Sequence, residues 1–479
     1  MITSADQSQD RVSGRVWRLL AIAIGLLVLL GLVRSNSGGQ LLAYLLILFA
    51  SVLPGVFWIR TGSLGIPVLP IVSLAYIPYF GWPTLSSSEV TLDYTAWEIL
   101  RAALTVVLFL LTATASWVLI ARKTRLRDHI APDQFEDSRV IRLALTGLWV
   151  AVAFNLGYIS GLLNWLGTFH GLARAIAGTL ATVACFLSGV TRAQGILRGK
   201  AWAGAIAGLS LLILVSLSNL FLVVAIIYLL AMLFGYIIVA KRIPWLAIGT
   251  VFVAVTVLHA GKPEMRAKYW ETGSAASSVA ALPGLMAEWV GDGIYVISSG
   301  SDYQSPLERT GLMHMVLRAQ SQTPDRIDYL YGATYALLPS ILVPRFIDTS
   351  KPISGIGMEL LNIHYGIFTG QSEALTSIGW GLVAEAYANY GYPCVMGIAL
   401  IFGVLCAALH NWSANAAVIS MPTLLSIAVM MALINVEADF IQICSTILQA
   451  LVAVFVFHTA FKSIATSSNA PKRSGVGVV

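Results

Sequence analysis

The fold is decided by a polar stretch that begins Gly261-Lys262-Pro263-Glu264-Met265-Arg266, continues through Pro344-Arg345-Phe346 and ends near residue 376. It contains eight Lys or Arg residues and eleven Asp or Glu residues, whereas the chain on either side is one hydrophobic run after another. Charged groups are costly inside a bilayer, so we expect this stretch to lie outside the membrane. Connections of this length are usually functional, and we look for the chemistry of the protein here first.

The composition indicates an integral membrane protein. Hydrophobic residues make up 57% of the chain and charged residues only 11%, about half the share found in a soluble domain. Much of the net charge of +6 falls in short turns, where membrane orientation explains it. Basic stripes interleaved with stacking aromatics are missing from the sequence, so nucleic acid is not an expected partner. The four cysteines follow no ligand spacing and are expected as small core residues.

Twelve hydrophobic segments approach the roughly 20 residues that cross a bilayer. Residues 1–18 and 462–479 are predicted tails, residues 19–260 hold nine spans, residues 261–376 form the large loop, and residues 377–461 hold three more spans. Prolines are expected to kink the third span, and a turn at residues 216–219 to separate the seventh from the eighth. The predicted spans are 19–33, 41–58, 64–82, 99–121, 140–162, 169–190, 201–218, 219–239, 244–260, 391–411, 419–435 and 440–461.

The basic residues alternate from turn to turn, as the positive-inside rule requires. With the N-terminus inside, the inner segments hold Lys or Arg near residues 60, 122–139, 192–200, 241–242 and 462–473, while the short outer turns hold only Arg34. The inner turn at residues 410–417 has no Lys or Arg. Both termini are therefore predicted to be cytoplasmic and the large loop to be outside.

Arginines from distant segments are the predicted anion-binding residues. Arg101 and Arg174 lie in apolar runs near their outer ends, where they either face a polar cavity or extend to the interface. The guanidinium fork suits phosphate oxygens, so a diphosphate at the membrane surface is the ligand that such a cluster would fit. The arginines expected to converge are Arg101, Arg174, Arg266, Arg309, Arg318, Arg326 and Arg345.

Glu373, Glu385 and His364 are the candidate bases that would take a proton from an acceptor hydroxyl. Each of them has an alternative interpretation, as a helix cap or as the partner of an arginine. Asp325 and Asp328 are the nearest approach to a paired acidic motif in the loop and are expected to pair with arginines, so no metal ion is required. No cofactor is expected.

The loop is predicted to carry short amphipathic helices. Residues 307–317 show helical spacing, and Arg318 follows His314 by four residues, which places both on one face. Residues 327–341 are apolar and rich in tyrosine, which is typical of a helix lying at the membrane interface. We expect these segments to rest on the bilayer surface.

The run Pro344-Arg345-Phe346, Lys351-Pro352, Gly379 and Glu385-Ala386-Tyr387-Ala388-Asn389-Tyr390-Gly391 resembles the outer-loop pattern of Wzy-type polymerases, the O-antigen polymerase family. The dozen spans and the single large loop also resemble that family. The resemblance implies an all-α, GT-C-like fold in a bacterial inner membrane with a periplasmic loop. It matches Arg345, Lys351 and Glu385, and it implies that Lys351 joins the diphosphate-binding set.

The resemblance implies a polysaccharide polymerase that transfers a growing glycan from polyprenyl diphosphate onto the next lipid-linked repeat unit. Lipid-linked oligosaccharides would be donor and acceptor, and a flippase and a chain-length regulator would be partners. O-antigen ligases have a similar plan and use a loop histidine, and His314 and His364 both stay open as its counterpart. A transporter or flippase of the same lipid is the rival from another class, and it predicts charges through the middle of the spans.

Overall fold

The computed structural model describes residues 21–35, 37–60, 65–85, 91, 93–121, 137–218, 220, 222–269, 281–299, 311–343, 355–367, 378–414 and 416–467. These residues form helices and turns, with no strand among them. The first half contains α1 (Ala21–Arg34), α2 (Gly38–Arg60), α3 (Val68–Leu85), α4 (Ala96–Ala121), α5 (Asp137–Ile159), α6 (His170–Ala193), α7 (Gly199–Ser218), α8 (Leu222–Ala240) and α9 (Trp245–Tyr269).

The second half contains α10 (Leu282–Ser299), α11 (Met313–Gln322), α12 (Leu338–Leu342), α13 (Ile356–His364), α14 (Gly381–Tyr390), α15 (Tyr392–Ser413), α16 (Met421–Leu433) and α17 (Phe440–Ser467). Within the described residues, ten helices are long and apolar enough to cross a membrane, and α1 and α16 are shorter apolar helices at the two remaining predicted positions. The prediction of an all-α, multi-pass membrane protein is confirmed.

Two breaks expected from the sequence are present. The seventh and eighth spans are separate helices, because α7 ends at Ser218 and Leu220 takes a positive φ of 58° before α8 begins. Pro67 precedes the first turn of α3, and Pro78 lies in a π-helical segment, Ile77–Gly81, that interrupts the helix. The kink therefore arises where the prolines predicted it.

The bundle is built around α4 and α6. Helix α4 packs between α2 and α15, and α6 packs against α5, α8 and α17. Side chains such as Phe109, Trp117 and Phe186 are fully buried between these helices. Many apolar side chains on the outside, such as Leu246 and Phe252 of α9, stay exposed, as expected for faces that meet lipid.

The polar stretch starts with more helix than the sequence predicted. Helix α9 continues to Tyr269, nine residues beyond the predicted end of the ninth span at residue 260. Helix α10 then returns antiparallel along α9, because Gly261 and Gly293 let the backbones approach closely and the Lys268 ammonium pairs with Glu288. The Trp289 indole N–H donates to the Leu258 carbonyl at 2.6 Å. Pairing with α9 thus carries part of the predicted loop back along a membrane span.

Helix α11 is buried in the protein and does not rest on a surface. Met313, Val316 and Ala319 are 0% exposed, and the helix packs against α4 and α14. The amide of Gln320 donates to the Thr105 hydroxyl of α4 at 2.6 Å. The expected surface position of this segment is therefore wrong, since its apolar face packs against protein.

The predicted interfacial helix at residues 327–341 is also largely absent. Residues 327–334 form turns, and helical structure begins only at Tyr335. The backbone N–H groups of Leu330 and Tyr331 donate to the carbonyls of Ala388 and Asn389 in α14 and are not available for a helix of their own. Tertiary hydrogen bonds thus override the local periodicity.

The close approach of α15 to α4 gives a direct test of the packing. A methyl group on Gly403 would collide with the Ser116 hydroxyl and the Ala113 carbonyl, whereas one on Gly397 of the same helix would meet nothing within 4 Å. We expect Gly403→Ala to lower the free energy of unfolding by about 1–3 kcal/mol through overpacking. Gly397→Ala should be neutral or slightly stabilising, because alanine favours helix.

The measurement is the thermal unfolding midpoint of both variants in the same detergent. Equal midpoints for Gly403→Ala and the wild type would contradict this packing of α15 on α4.

Candidate functional site

The site forms where α11 meets the π-helical segment of α3. Helix α3 contains Pro83, which has no N–H to offer the Tyr79 carbonyl four residues before it. That carbonyl instead accepts a hydrogen bond of 2.7 Å from the N–H of Leu312, the residue before α11. The Tyr79 carbonyl, which cannot bond to Pro83, thus holds the start of a buried helix that belongs to the polar stretch.

His314 and Arg318 lie one turn apart on α11, as the spacing predicted. Both are half-buried, while the residues between them are buried. Nη2 of Arg318 donates to the carbonyl of Tyr365 at 2.9 Å. Its Nε is buried and has no hydrogen-bond partner among the described residues. An unpartnered buried donor is costly, and an anionic ligand would satisfy it.

The imidazole of His314 is held in its neutral form. Burial lowers the pKa of His314, and the positive charge of Arg318 lowers it further, although a hydrogen bond to the Gly311 backbone opposes the change. Bonding of one ring nitrogen to a backbone carbonyl leaves the other as an acceptor. The free nitrogen can therefore accept a hydrogen bond from a group beside Arg318, and an anion bound to Arg318 would offset the charge that opposes protonation of the ring.

Arg101 is half-buried and bonds to two tyrosines. Its Nη2 donates to the Tyr387 hydroxyl at 3.0 Å, and its Nε donates to the Tyr392 hydroxyl at 3.1 Å. Tyr387 belongs to α14 and is 2% exposed, and Tyr392 is the first residue of α15. The choice between a polar cavity and the interface for this arginine stays a prediction.

Arg101 and Arg318 both contact a group of tyrosines that we call the tyrosine cluster. The hydroxyl of Tyr365 lies within electrostatic range of Tyr329 and Tyr387. The other members meet edge to face, with ring centroids 5.3 to 6.4 Å apart. The members are Tyr329, Tyr331, Tyr365, Tyr387, Tyr390 and Tyr392. Arg101 therefore binds two hydroxyls of the cluster, whereas Arg318 bonds to the main-chain carbonyl of its member Tyr365.

Glu385 lies in the middle of α14 and is paired with Asp439, just before α17. Both side chains are 0% exposed. Oε2 of Glu385 accepts from the Phe440 N–H at 2.7 Å, and Oδ1 of Asp439 accepts from the Gln442 N–H at 2.6 Å. Their other oxygens, Glu385 Oε1 and Asp439 Oδ2, are buried and accept no hydrogen bond of 3.5 Å or less among the described residues, although Thr334 and the Met358 backbone lie close enough to lower the two pKa values slightly.

The two carboxyls hold protons more tightly than usual. Burial raises the pKa of Glu385, and the nearby Asp439 raises it further, to about 8. Burial likewise raises the pKa of Asp439, to about 6. Two buried like charges are unfavourable, so the pair keeps a proton at neutral pH. Glu385 consequently has the chemistry of a buried structural acid, because solvent and substrate do not reach it in this conformation.

A third acidic residue connects α9 to the same region. Burial raises the pKa of Glu437, while Lys262 and Arg266 near the C-terminal end of α9 act in the opposite direction. The carbonyl of Glu437 accepts a hydrogen bond of 3.1 Å from the N–H of Gly381, the first residue of α14. Arg266, one of the predicted anion-binding residues, therefore lies near the start of α14.

The remaining predicted site residues are placed as follows. Arg174 is exposed on α6 and lies over the Tyr158 ring at 5.4 Å. Arg326 is exposed in the turn after α11, and Nε2 of His364 lies 3.0 Å from the Asp328 carbonyl. Among the described residues, none of these three forms a hydrogen bond with the side chain of Arg101 or Arg318. Four predicted residues lie outside the described residues: Arg309, Arg345, Lys351 and Glu373.

Sequence reasoning missed Asp439 and the tyrosine cluster. Asp439 lies two residues after Glu437 and directly before an apolar span. Two carboxylates are unusual at such a position, and this feature of the sequence could have identified Asp439 as a candidate. All four cysteines are free thiols, buried or half-buried, as expected for core residues. Among the described residues, no group of three or more His, Cys, Asp or Glu side chains is placed to hold a metal ion.

Comparison with known proteins returned no match to a protein-family model, to a curated protein sequence or to a solved structure. The resemblance to Wzy-type polymerases therefore rests on the residues quoted for it.

The acid pair predicts how stability depends on pH. The folded state holds a proton on Glu385 up to about pH 8, whereas the unfolded chain releases it near the ordinary value of about 4. Folding is therefore favoured at low pH, and the contribution is lost progressively as pH rises from about 4 to about 8. Gln in place of Glu385 can still accept from the Phe440 N–H but has no proton to lose.

We expect Glu385→Gln to gain stability relative to the wild type as pH rises through that window. Thermal midpoints of both proteins at a series of pH values check this, with Asp439→Asn as the matched variant. A difference in midpoint that does not change with pH would show that the pair carries no such proton.

Proposed function

We propose that the protein is a membrane glycosyltransferase that moves a glycan from a polyprenyl diphosphate carrier to a sugar hydroxyl at the outer face of a bacterial inner membrane. The observation that carries the proposal is the approach of Arg101 and Arg318 to one tyrosine cluster, with Arg318 Nε buried and unpartnered within the described residues. Arginine forks bind diphosphate oxygens well, and tyrosines suit the sugar and isoprenoid portions beside them.

In this mechanism the arginines act on the leaving group. The acceptor oxygen forms a bond to the anomeric carbon as the bond from that carbon to the diphosphate oxygen breaks. Negative charge grows on the departing diphosphate, and fixed guanidinium groups stabilise that charge more in the transition state than in the ground state. The reaction releases free polyprenyl diphosphate.

His314 is the base that this geometry favours. Its neutral imidazole lies one turn from Arg318, so it can take the acceptor proton beside the site where the diphosphate would bind. Glu385 is better suited to positioning α14, since its carboxyl is fully buried and bonded to the Phe440 N–H. The other two proposed bases, Glu373 and His364, are alternatives to His314.

The identity of the acceptor distinguishes a polymerase from a ligase, since both would use the same lipid-linked donor. The resemblance favours a polymerase, in which the acceptor is the next lipid-linked repeat unit and a flippase and a chain-length regulator are partners. A ligase would use the same donor and a different acceptor glycolipid. Presenting each acceptor separately to the purified protein distinguishes the two, because only the polymerase builds a ladder of products from repeat units alone.

We expect Arg318→Lys to lower the transfer rate by roughly 10- to 100-fold, because lysine keeps the charge but loses the planar fork. The assay supplies purified protein with a diphosphate-linked repeat unit and measures product and free polyprenyl diphosphate. Arg60→Lys is the matched control, because it makes the same exchange at an exposed arginine in the last turn of α2, and it should keep wild-type activity. Equal rates for Arg318→Lys and the control would remove Arg318 from the site, and no product from any donor would end the proposal.

Transport of the lipid-linked glycan is the second candidate, and one feature favours it. Helix α14 is a short buried helix that breaks from α15 at Gly391, whose φ is 66°, and it carries the proton-holding pair of Glu385 and Asp439. Broken helices and buried carboxyls are common in proton-coupled transporters. A liposome assay that follows a fluorescent lipid-linked glycan across the bilayer tests it.

If the protein is a glycosyltransferase, we expect the fluorescent lipid-linked glycan to cross the bilayer no faster than in protein-free liposomes. Rapid movement that Glu385→Gln abolishes, together with no glycan transfer, would establish the transporter instead.

A further inference from the structure

An exposed part of the tyrosine cluster is held rigidly by the end of α14. The N–H groups of Leu330 and Tyr331 donate to the Ala388 and Asn389 carbonyls at 2.9 and 3.1 Å. The N–H of Gly332 donates to the side-chain oxygen of Asn389 at 3.1 Å. These bonds satisfy carbonyls that a helix end leaves free. The loop at residues 330–332 is thereby fixed to a helix in the core.

Tyr331 takes an unfavourable backbone conformation in this loop. Its φ is 47°, in the left-handed region that a bulky side chain rarely adopts. The ring is 64% exposed, so it contributes little to a core in return. The Tyr390 hydroxyl donates to the Tyr331 carbonyl at 2.5 Å, which holds the conformation in place. A strained and exposed aromatic residue that is held this firmly points to a role outside folding.

The exposed rings continue into the arginine site. Tyr331 packs edge to face against Tyr390 and Tyr329, with ring centroids 6.1 and 6.2 Å apart. Tyr329 meets Tyr387, which meets Tyr392, and the hydroxyls of these last two bind Arg101. Tyr390 and Tyr392 are 47% and 39% exposed. A chain of ring contacts therefore runs from the exposed Tyr331 and Tyr390 through the buried Tyr387 to Tyr392 and the Arg101 guanidinium group.

We propose that the exposed rings of Tyr331, Tyr390 and Tyr392 form a binding surface for the sugar rings of the transferred or accepting glycan. Pyranose rings present an apolar face of C–H groups, which packs on the electron-rich face of an aromatic ring, and their hydroxyls bond to phenolic hydroxyls. The inference rests on the proposed function, because it assigns the glycan part of the substrate to the surface next to the diphosphate site.

Contact with the bilayer interface is the competing explanation for exposed tyrosines. An interfacial tyrosine needs only a suitable depth, and it gains nothing from a strained backbone or from neighbouring rings in fixed contact. Tyr295 of α10 is 68% exposed without such contacts among the described residues and is the matched control for this explanation.

The strain gives a test that separates binding from folding. Glycine adopts a positive φ without cost, so Tyr331→Gly should raise the thermal midpoint or leave it unchanged while removing the ring. If the ring served folding, the same change would lower the midpoint. Tyr331→Phe keeps the aromatic face and should retain binding.

The probe is the repeat-unit oligosaccharide released by mild acid from the host's own lipid carrier, free of lipid and diphosphate. Titration of the purified full-length protein, followed by calorimetry, should show binding that is weakened by roughly tenfold in Tyr331→Gly, an amount typical of one aromatic stacking contact. Tyr331→Phe and Tyr295→Ala should bind like the wild type.

Equal affinity for the wild type and Tyr331→Gly, or no binding by the wild type, would overturn the glycan surface. The outcome is separable from the proposed function, since the titration needs no transfer. If the wild type transfers glycan but Tyr331→Gly binds the oligosaccharide equally well, only the glycan surface is contradicted. If binding depends on Tyr331 but no donor supports transfer, only the glycosyltransferase function is contradicted.

Discussion

The structure depends on satisfying the backbone groups of one short helix that is buried on nearly every side. Helix α14 has ten residues, and Gly381 to Asn389 are all buried. Water does not reach these nine residues, so protein groups must bond their free backbone groups. The carbonyl of Glu437 accepts from the first N–H, and the loop at residues 330–332 donates to the last carbonyls. Segments from distant parts of the chain are thereby drawn to the two ends of α14.

This arrangement explains why the charged groups gather where they do. The carbonyl of Glu437 bonds to the start of α14, and Lys262 and Arg266 lie close enough to interact electrostatically with the Glu437 carboxyl. At the other end, Tyr387 of α14 and Tyr392 of α15 lie on either side of Gly391, and Arg101 binds both hydroxyls. Arg101 is therefore held by tyrosines at the C-terminal end of the buried helix, and Arg266 lies near its N-terminal end.

The sequence predicted the membrane part of the fold well and the site only in part. Long apolar runs give the spans directly, and proline and turn residues located the breaks at α3 and after α7. The four-residue spacing of His314 and Arg318 correctly placed both on one helix face. Neither periodicity nor charge could show that α11 is buried or that Glu385 meets Asp439, because those contacts join segments far apart in the chain. The prediction of a helix at residues 327–334 was wrong for the same reason, since the N–H groups of residues 330–332 bond to α14.

The acid pair and the arginine site share α14, which suggests how the two are linked physically. Glu385 and Asn389 are one turn apart, and Asn389 donates to the Glu385 carbonyl and to the Thr334 hydroxyl at 2.9 Å each. Its side-chain oxygen accepts from Gly332, beside the strained Tyr331. A second negative charge at Glu385 would repel Asp439 and stress the same helix that positions Tyr387 against Arg101. A proton on the pair removes that repulsion and stabilises the position of α14, the helix whose Tyr387 binds Arg101.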